Sequence, residues 1–260
     1  MVKISTYILT YNSQKYLEKV IRPLVAFSDE IVIIDSGSSD QTVDIAEKFG
    51  ARVIYRKFDN FSSQRQFAID SCCYEWIFNV DSDEVADESF VEAMMSLKSK
   101  LHNIEFDAYR VQRYWYIMGQ SVRSFYPVTS PDYVVRLFKK EKAFFDVSYS
   151  VHETVEGFDN ISPNPISSIN HYTFESKEEI NRKLELYTDL AAQDAEMKGK
   201  RGGLLNSLIH AISAFIKWYL KNGAYKDGRI GLLGAKYAFC YTYKKYIKIN
   251  KIRNRSISNI

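Results

Sequence analysis

Three carboxylates fall within four positions in the run Asn79-Val-Asp-Ser-Asp-Glu84, at Asp81, Asp83 and Glu84. Like charges so crowded repel one another and must be offset by a cation or by water. Hard oxygen ligands at this spacing suit Mg²⁺ or Mn²⁺, which take few protein ligands, keep several waters and bridge substrate phosphates. A surface acidic turn has the same look, so the position of the run, directly after an apolar strand, is what favours a metal site at Asp81 and Asp83, with Ser82 between them set to meet the phosphorylated ligand. A second acid, Asp35, ends an apolar run and leads Asp35-Ser-Gly-Ser-Ser-Asp40. An acid there can accept hydrogen bonds from the donor groups of a nucleotide, while Gly37 lets the chain turn sharply. Thr10, Tyr11 and Asn12 close an earlier strand-like run and offer backbone groups and an aromatic wall to a base; an ordinary loop is the plainer reading. Arg65, in Gln64-Arg-Gln66 near a helix start, is placed either to meet a pyrophosphate or simply to be solvated. His171 ends another apolar run and is read as a third metal ligand or as a structural hydrogen-bonder.

The elements that must position these groups are legible in the spacing. Residues 3–9, 30–34, 52–55 and 76–80 are short β-branched or aromatic runs, and between them lie helical patterns over 14–26, from Ser39 or Asp40 to Gly50, and over 62–71. Strand and helix alternating in this way predict a parallel, doubly wound α/β sheet, whose ligands bind at the carboxyl ends of the strands. Those ends are where the candidate residues fall. Residues 105–173 change character, with aromatic strand-like pieces at 109–111, 114–117, 133–138 and 166–172, and predict a mixed or antiparallel extension. Tyr114, Trp115, Tyr116, Phe125 and Tyr126 could stack on sugar faces or simply fill a core. From residue 176 onward the pattern is helical.

The net charge of +3 conceals a split. Fourteen Lys and Arg stand against one acid, Asp227, from residue 198 onward, which leaves 21 against 31 in residues 1–197. The last segment therefore expects an anionic partner. In the helix that begins at 204, Leu204, Leu208, Ala211, Ile212, Phe215 and Tyr219 share one face, and Asn206, His210, Ser213, Lys217 and Lys221 the other. No run reaches the roughly 18 apolar residues of a spanning helix, so an amphipathic segment lying on a membrane fits better than one crossing it. Packing of the apolar face on the rest of the chain is the alternative. Cys72, Cys73 and Cys240 form neither a disulfide framework nor a zinc pattern, which fits a reducing cytosol. The chain opens directly on a strand-like run, with nothing resembling an export signal. A dinucleotide-binding dehydrogenase is disfavoured because the first strand leads to Thr10-Tyr-Asn-Ser instead of a glycine-rich turn.

Taken in order, T-Y-N, I-I-D-S-G-S-S-D-Q-T, Q-R-Q-F-A and N-V-D-S-D-E closely resemble glycosyltransferase family 2, the inverting enzymes of the GT-A fold. The combination and its order carry the resemblance; no single piece does. It implies that Asp35 recognises a uracil-type base, that Asp81 contacts the ribose or a metal-bound water, and that Asp83 ligates the metal at the diphosphate. Where the family often has Asn, this chain has Gln66. Val151-His-Glu153, Asn170-His-Tyr172 and Asp227-Gly-x-x-Gly231 resemble one branch, which includes lipopolysaccharide inner-core glucosyltransferases.

The resemblance implies a GT-A catalytic domain over 1–175, with a nucleotide-binding half at 1–84 and an acceptor half at 85–175, followed by a basic, membrane-associating helical segment at 176–260. The implied reaction moves a hexose, glucose favoured, from a UDP-type nucleotide sugar to a hydroxyl of a glycolipid or lipid-linked glycan, with lipopolysaccharide core foremost. The implied place is the cytoplasmic face of the inner membrane, against an anionic lipid surface. An inverting displacement needs a base that reaches the acceptor hydroxyl from the face opposite the diphosphate. Glu153, flanked by His152 and following the aromatic piece 144–147, is the choice, with Asp132 its rival. A sugar transferase acting on polyprenyl phosphate would need no base. A non-enzymatic scaffold or basic nucleic-acid-binding protein is disfavoured by the acids clustered at the strand ends, so no nucleic acid is expected as a partner.

Overall fold

The computed structural model describes residues 2–103, 105–146, 154–199 and 202–258. The chain divides into two compact units, residues 1–114 with 133–171, and residues 115–132 with 172–260.

In the first unit the alternation expected from the spacing is present: β1 (Ile4–Thr10), α1 (Gln14–Leu24), β2 (Glu30–Asp35), α2 (Thr42–Lys48), β3 (Arg52–Tyr55), α3 (Phe61–Ser71) and β4 (Trp76–Asp81). Two elements follow that the spacing barely announces, β5 (Glu84–Ala86) and α4 (Glu88–Lys100). Asn60 caps α3 by accepting from Ser63 N at 2.8 Å, and Asp87 caps α4 by accepting from Phe90 N at 2.9 Å. The pieces expected at 109–111 and 114–117 are a single strand, β6 (Ala108–Ile117). Beyond it come β7 (Gln120–Ser121), β8 (Ser124–Phe125), β9 (Val128–Thr129), β10 (Asp132–Lys139), β11 (Phe144–Phe145), β12 (Val155–Glu156) and β13 (Ser168–Thr173).

The main sheet runs β3-β2-β1-β4-β10-β6-β13-β5. β3, β2, β1 and β4 are parallel neighbours, while β10 joins β4, and β13 joins β5, in antiparallel register. The sheet is therefore mixed, a parallel half carrying the mixed or antiparallel extension expected beyond residue 105. Its parallel strands read as nearly unbroken apolar runs because both faces are covered. On one face Ile4, Ile8, Ile33 and Phe78 pack with Leu17, Ile21, Phe90 and Met94; on the other Tyr7, Val32, Ile34 and Ile77 pack with Ala68 and Ile69. The burial fixes which way the strand ends point. A one-residue slip would exchange the two faces.

The second unit is mostly helical, with α5 (Lys177–Met197), α6 (Leu204–Ile216) and α7 (Gly228–Ser258). Ser176 caps α5 by accepting from Glu179 N at 3.1 Å, and the Glu179 carboxylate accepts from Glu175 N, just before the cap, at 2.8 Å. The Asp227-Gly-x-x-Gly231 motif is explained by packing here. Asp227 is buried and accepts from Arg123 N at 2.8 Å. Gly231 lies so close to the preceding turn that a Cβ there would come within 1.7 Å of the Ala224 carbonyl oxygen. Trp115 and Phe125, offered above as sugar-stacking groups, are buried in this unit's core with Phe174, Ile180 and Tyr237. Of the two readings given for them, core packing is the one that holds for these two, because a ring enclosed by side chains has no face left for a ligand. Tyr116 is half-buried and stacks on Tyr172 with centroids 4.9 Å apart.

Candidate active site

Three loops meet at the carboxyl ends of β1, β2 and β4, and they are fastened by side chains bonding to neighbouring loops. Asp35 is buried; its Oδ1 accepts from Thr10 Oγ1 at 2.9 Å and Ser38 Oγ at 2.6 Å, its Oδ2 from Gly37 N at 2.9 Å and Ser38 N at 2.8 Å. Burial pushes its carboxyl up, but these bonds from Ser38, Thr10 and Gly37 outweigh burial and hold it below the usual range. Gly37 makes this turn at φ +96°, a backbone that favours glycine. Asn12, also at positive φ, accepts from Ser39 N at 2.9 Å, while its own N–H donates to Ser38 Oγ at 2.8 Å. Ser13 Oγ donates to Ser82 Oγ at 3.0 Å, which joins the first loop to the acidic one. Tyr11, at 64% exposure, presents an open ring beside them.

The acidic run is resolved into two different environments. Asp81 bonds to arginine through both oxygens, Oδ1 to Arg65 at 2.8 Å and Oδ2 to Arg136 at 2.7 Å. Glu84, fully buried, takes Arg113 at 2.9 Å and shares the guanidinium of Arg136, while its other oxygen accepts from Asp81 N at 3.1 Å. Burial of Asp81 would raise its pKa, yet Arg136, Arg65 and Arg113 keep it well below the carboxylate range. The crowded charges were expected to need a cation or water; for Asp81 and Glu84 the cations are three guanidinium groups, carried on α3, β6 and β10.

Asp83 differs. It pairs with His171, Oδ1 to Nε2 at 3.2 Å, and keeps 28% of its side chain exposed. His171 arrives there because β13 pairs with β5, with His171 opposite Glu84 in the register. Burial lowers the imidazole pKa, but the Asp83 carboxylate, with a smaller contribution from Glu84, raises it above its ordinary value.

The structure thus brings together Thr10, Tyr11, Asn12, Asp35 and Ser82 at one set of strand ends, and Arg65, Asp81, Asp83 and His171 in contact around the acidic turn. Glu153, the expected base, and His152 lie outside the described residues. Asp132, the rival, belongs to the second unit and accepts from Trp115 Nε1 at 3.0 Å. Gln66, where the family often has Asn, is structural: its Oε1 accepts from Phe145 N at 3.0 Å. Gln64, also buried, donates to Ser36 Oγ at 3.0 Å and ties α3 to the Asp35 loop.

Arg113 and Arg136 were missed in the sequence. Their signal was a charge inside an otherwise apolar strand pattern, Tyr133-Val-Val-Arg-Leu-Phe138 for Arg136. A charge buried in a sheet needs a partner of opposite sign.

The donor set near Asp83 fits a divalent cation. A partly exposed carboxylate lies against the nitrogen of a buried imidazole, and Mg²⁺ or Mn²⁺ needs few protein ligands where phosphates and water complete the shell. Among the described residues no group of three or more His, Cys, Asp or Glu is placed to hold an ion. Asp81 would have to release Arg65 or Arg136 to become a ligand.

The chain belongs to glycosyl transferase family 2, which matches residues 5–148; it is a glycosyltransferase. It is 29% identical to the lipopolysaccharide core biosynthesis glycosyltransferase LpsC of Rhizobium meliloti, over 94% of this chain and 92% of that protein. It is 25% identical to an uncharacterized glycosyltransferase of Rickettsia typhi, over 100% of this chain and 89% of that one. Among solved structures, glucosyl-3-phosphoglycerate synthase of Mycobacterium tuberculosis is distantly similar, with a TM-score of 0.49 and 15% identity over 78% of this chain and 82% of that one.

Proposed function

We propose that this enzyme transfers a hexose, with glucose the favoured sugar, from a UDP-type nucleotide sugar to a hydroxyl of a membrane-linked glycan, by metal-assisted inverting displacement in a GT-A type, doubly wound domain. In this reading residues 1–84 bind the nucleotide, 85–175 the acceptor, and 176–260 associate with the membrane. The observation that carries it is the division of the acidic turn: arginines hold Asp81 and Glu84, while Asp83, paired with the buried His171, keeps part of its carboxylate exposed. Support for lipopolysaccharide core as the acceptor comes from the relative that bears that name and aligns over nearly its whole length.

The chemistry follows from the residues. Thr10, Asn12 and Asp35 set the shape of the loop that receives the nucleoside, and Tyr11 gives it an aromatic wall. Three guanidinium groups stand against three carboxylates at the acidic turn, so a diphosphate meets a balanced site and not a triply negative one. A divalent ion held by Asp83 and His171 would stabilise negative charge developing on the departing diphosphate. Arg65 and Arg136 keep Asp81 ionised and fixed in orientation, which favours its use as a hydrogen-bond acceptor for ribose. Glu153 is assigned to take the proton of the acceptor hydroxyl as the glycosidic bond forms.

The test is transfer and hydrolysis of a panel of nucleotide sugars, with Mn²⁺ and with chelator, by wild type, Asp83→Ala and Glu153→Gln. One donor turned over only with metal is expected. Asp83→Ala should lose about 10²–10³ in turnover, the scale of removing one electrostatic stabiliser. Glu153→Gln should bind donor normally yet transfer poorly. Normal transfer by Asp83→Ala would remove the metal role, and normal transfer by Glu153→Gln would move the base elsewhere.

A further inference from the structure

Helix α6 is divided into three sectors by its side chains. Ser207 and Ala211 are buried, as is Trp218 in the single π-helical turn, Lys217–Lys221, that continues the helix. Asn206, His210, Ser213 and Lys217 make a polar exposed strip. The third sector is apolar and also exposed. Leu205, Leu208, Ile209, Ile212, Ile216 and Leu220 are between 44% and 71% exposed. Ala211, expected on this apolar face, is instead on the buried one.

The face is wide, continuous and unlike scattered surface leucines, which need no explanation. Two features along it indicate what would cover it. First, its aromatic flank runs from Phe215, stacked on Tyr219 at 5.5 Å, to Tyr225, whose ring lies 6.3 Å from Tyr219. Rings with a polar tip are favoured where apolar and aqueous phases meet. Second, the surrounding charge has one sign. Lys217, Lys221, Lys226 and Lys236 are all exposed. Lys226 lies over the Tyr225 ring, and Lys236 shares an apolar groove of about 390 Å³ with Ile212, Phe215, Phe239 and Cys240. Across residues 202–254 ten Lys and Arg stand against Asp227 alone. A second copy docking through this same face would bring those lysines against their own counterparts. An anionic surface that is apolar just beneath it meets both features. No helix among the described residues is long and apolar enough to cross a membrane.

We propose that α6 is the membrane-docking face. Its Leu205–Leu220 apolar sector enters the headgroup–acyl boundary of an anionic bilayer, and Lys217, Lys221, Lys226 and Lys236 pair with lipid phosphates. The proposal rests on the reading of a membrane-linked acceptor and gives that reading a contact surface.

The test is co-sedimentation of the full chain with phosphatidylcholine vesicles, with and without phosphatidylglycerol, over a range of salt. Wild type should bind the anionic vesicles, less as salt rises, and the neutral ones weakly. Leu205→Glu/Ile212→Glu should weaken binding by at least about tenfold. Lys217→Glu/Lys221→Glu should weaken it as well and flatten its salt dependence. Both pairs are exposed, so the fold should be kept; thermal melting and nucleotide-sugar binding on the same preparations check this. Leu205→Ser/Ile212→Ser serves if the glutamate pair does not fold. Unchanged vesicle binding by the apolar variants would overturn the proposal, as would equal binding to neutral vesicles. So would a wild-type dimer, seen by sedimentation velocity, that these variants convert to monomer. Vesicle binding without donor binding would count against the enzymatic reading alone, and donor binding without vesicle binding against this one alone.

Discussion

The two units handle charge in opposite ways. In the first, Arg65, Arg113 and Arg136 close on Asp81 and Glu84, and Asp83 closes on His171. In the second, α7 directs Lys244 and Lys248 to Glu185, but the lysines around α6 face solvent beside an open apolar sector. Buried charges must be matched within the fold because desolvation is costly, whereas exposed ones can wait for a partner outside it. A region that balances its own charges is built to hold a geometry. One that leaves charge of a single sign beside apolar side chains is built to meet a surface.

The largest effect that would break this comparison is in the first unit. Arg136→Met leaves Asp81 and the buried Glu84 short of a cation and should destabilise the protein by about 3–5 kcal/mol, read from urea unfolding. A loss below about 1 kcal/mol would mean that the arginine network is not what holds the acidic turn. In the second unit, Gly231→Ala drives a methyl toward the Ala224 carbonyl and should cost about 1–3 kcal/mol. No change in melting would show that the turn before α7 yields easily.

The smallest effect sharpens the contrast at the surface. Glu30 accepts from Ser5 and Arg52; burial raises its pKa, but these bonds bring it down to about 2 from an ordinary 4.5. A carboxylate depressed on folding stabilises the fold above its unfolded value and loses that contribution as pH falls through the folded one. Stability should therefore decline between about pH 4.5 and pH 2, and less so in Glu30→Gln. Arg52 is 45% exposed, so screening keeps the contribution near that of a surface pair, about 0–1 kcal/mol. Identical pH profiles for the two proteins would show that the pair contributes nothing.

Local pattern made the parallel half of the sheet legible. Apolar runs such as 30–34 and 76–80 are long enough to mark strands, and Gly50 and the cap region of α5 mark helix ends. What stayed hidden depended on distant pairing. β5 is three residues long, and only its register with β13 places His171 beside Asp83. Likewise Arg113 and Arg136 look like stray charges until β10 is laid next to β4, and β6 next to β10, in the sheet. The amphipathicity of α6 was visible, but which sector faces inward was not, because small residues there outcompete large ones for the close approach to α7. The aromatic segment at 114–126 stayed ambiguous for a related reason: ring content alone does not separate a sugar platform from a core.

In the proposed site the acidic turn has two jobs, with Asp81 held by arginines and Asp83, paired with the buried His171, offering its exposed carboxylate to a metal. Titration of Mn²⁺ in the presence of UDP, followed by calorimetry on wild type, Asp83→Ala and His171→Ala, tests it most directly. UDP-dependent Mn²⁺ binding that is lost in Asp83→Ala and weakened about 10–100-fold in His171→Ala is the predicted result. Mn²⁺ binding of unchanged affinity in Asp83→Ala would contradict the account.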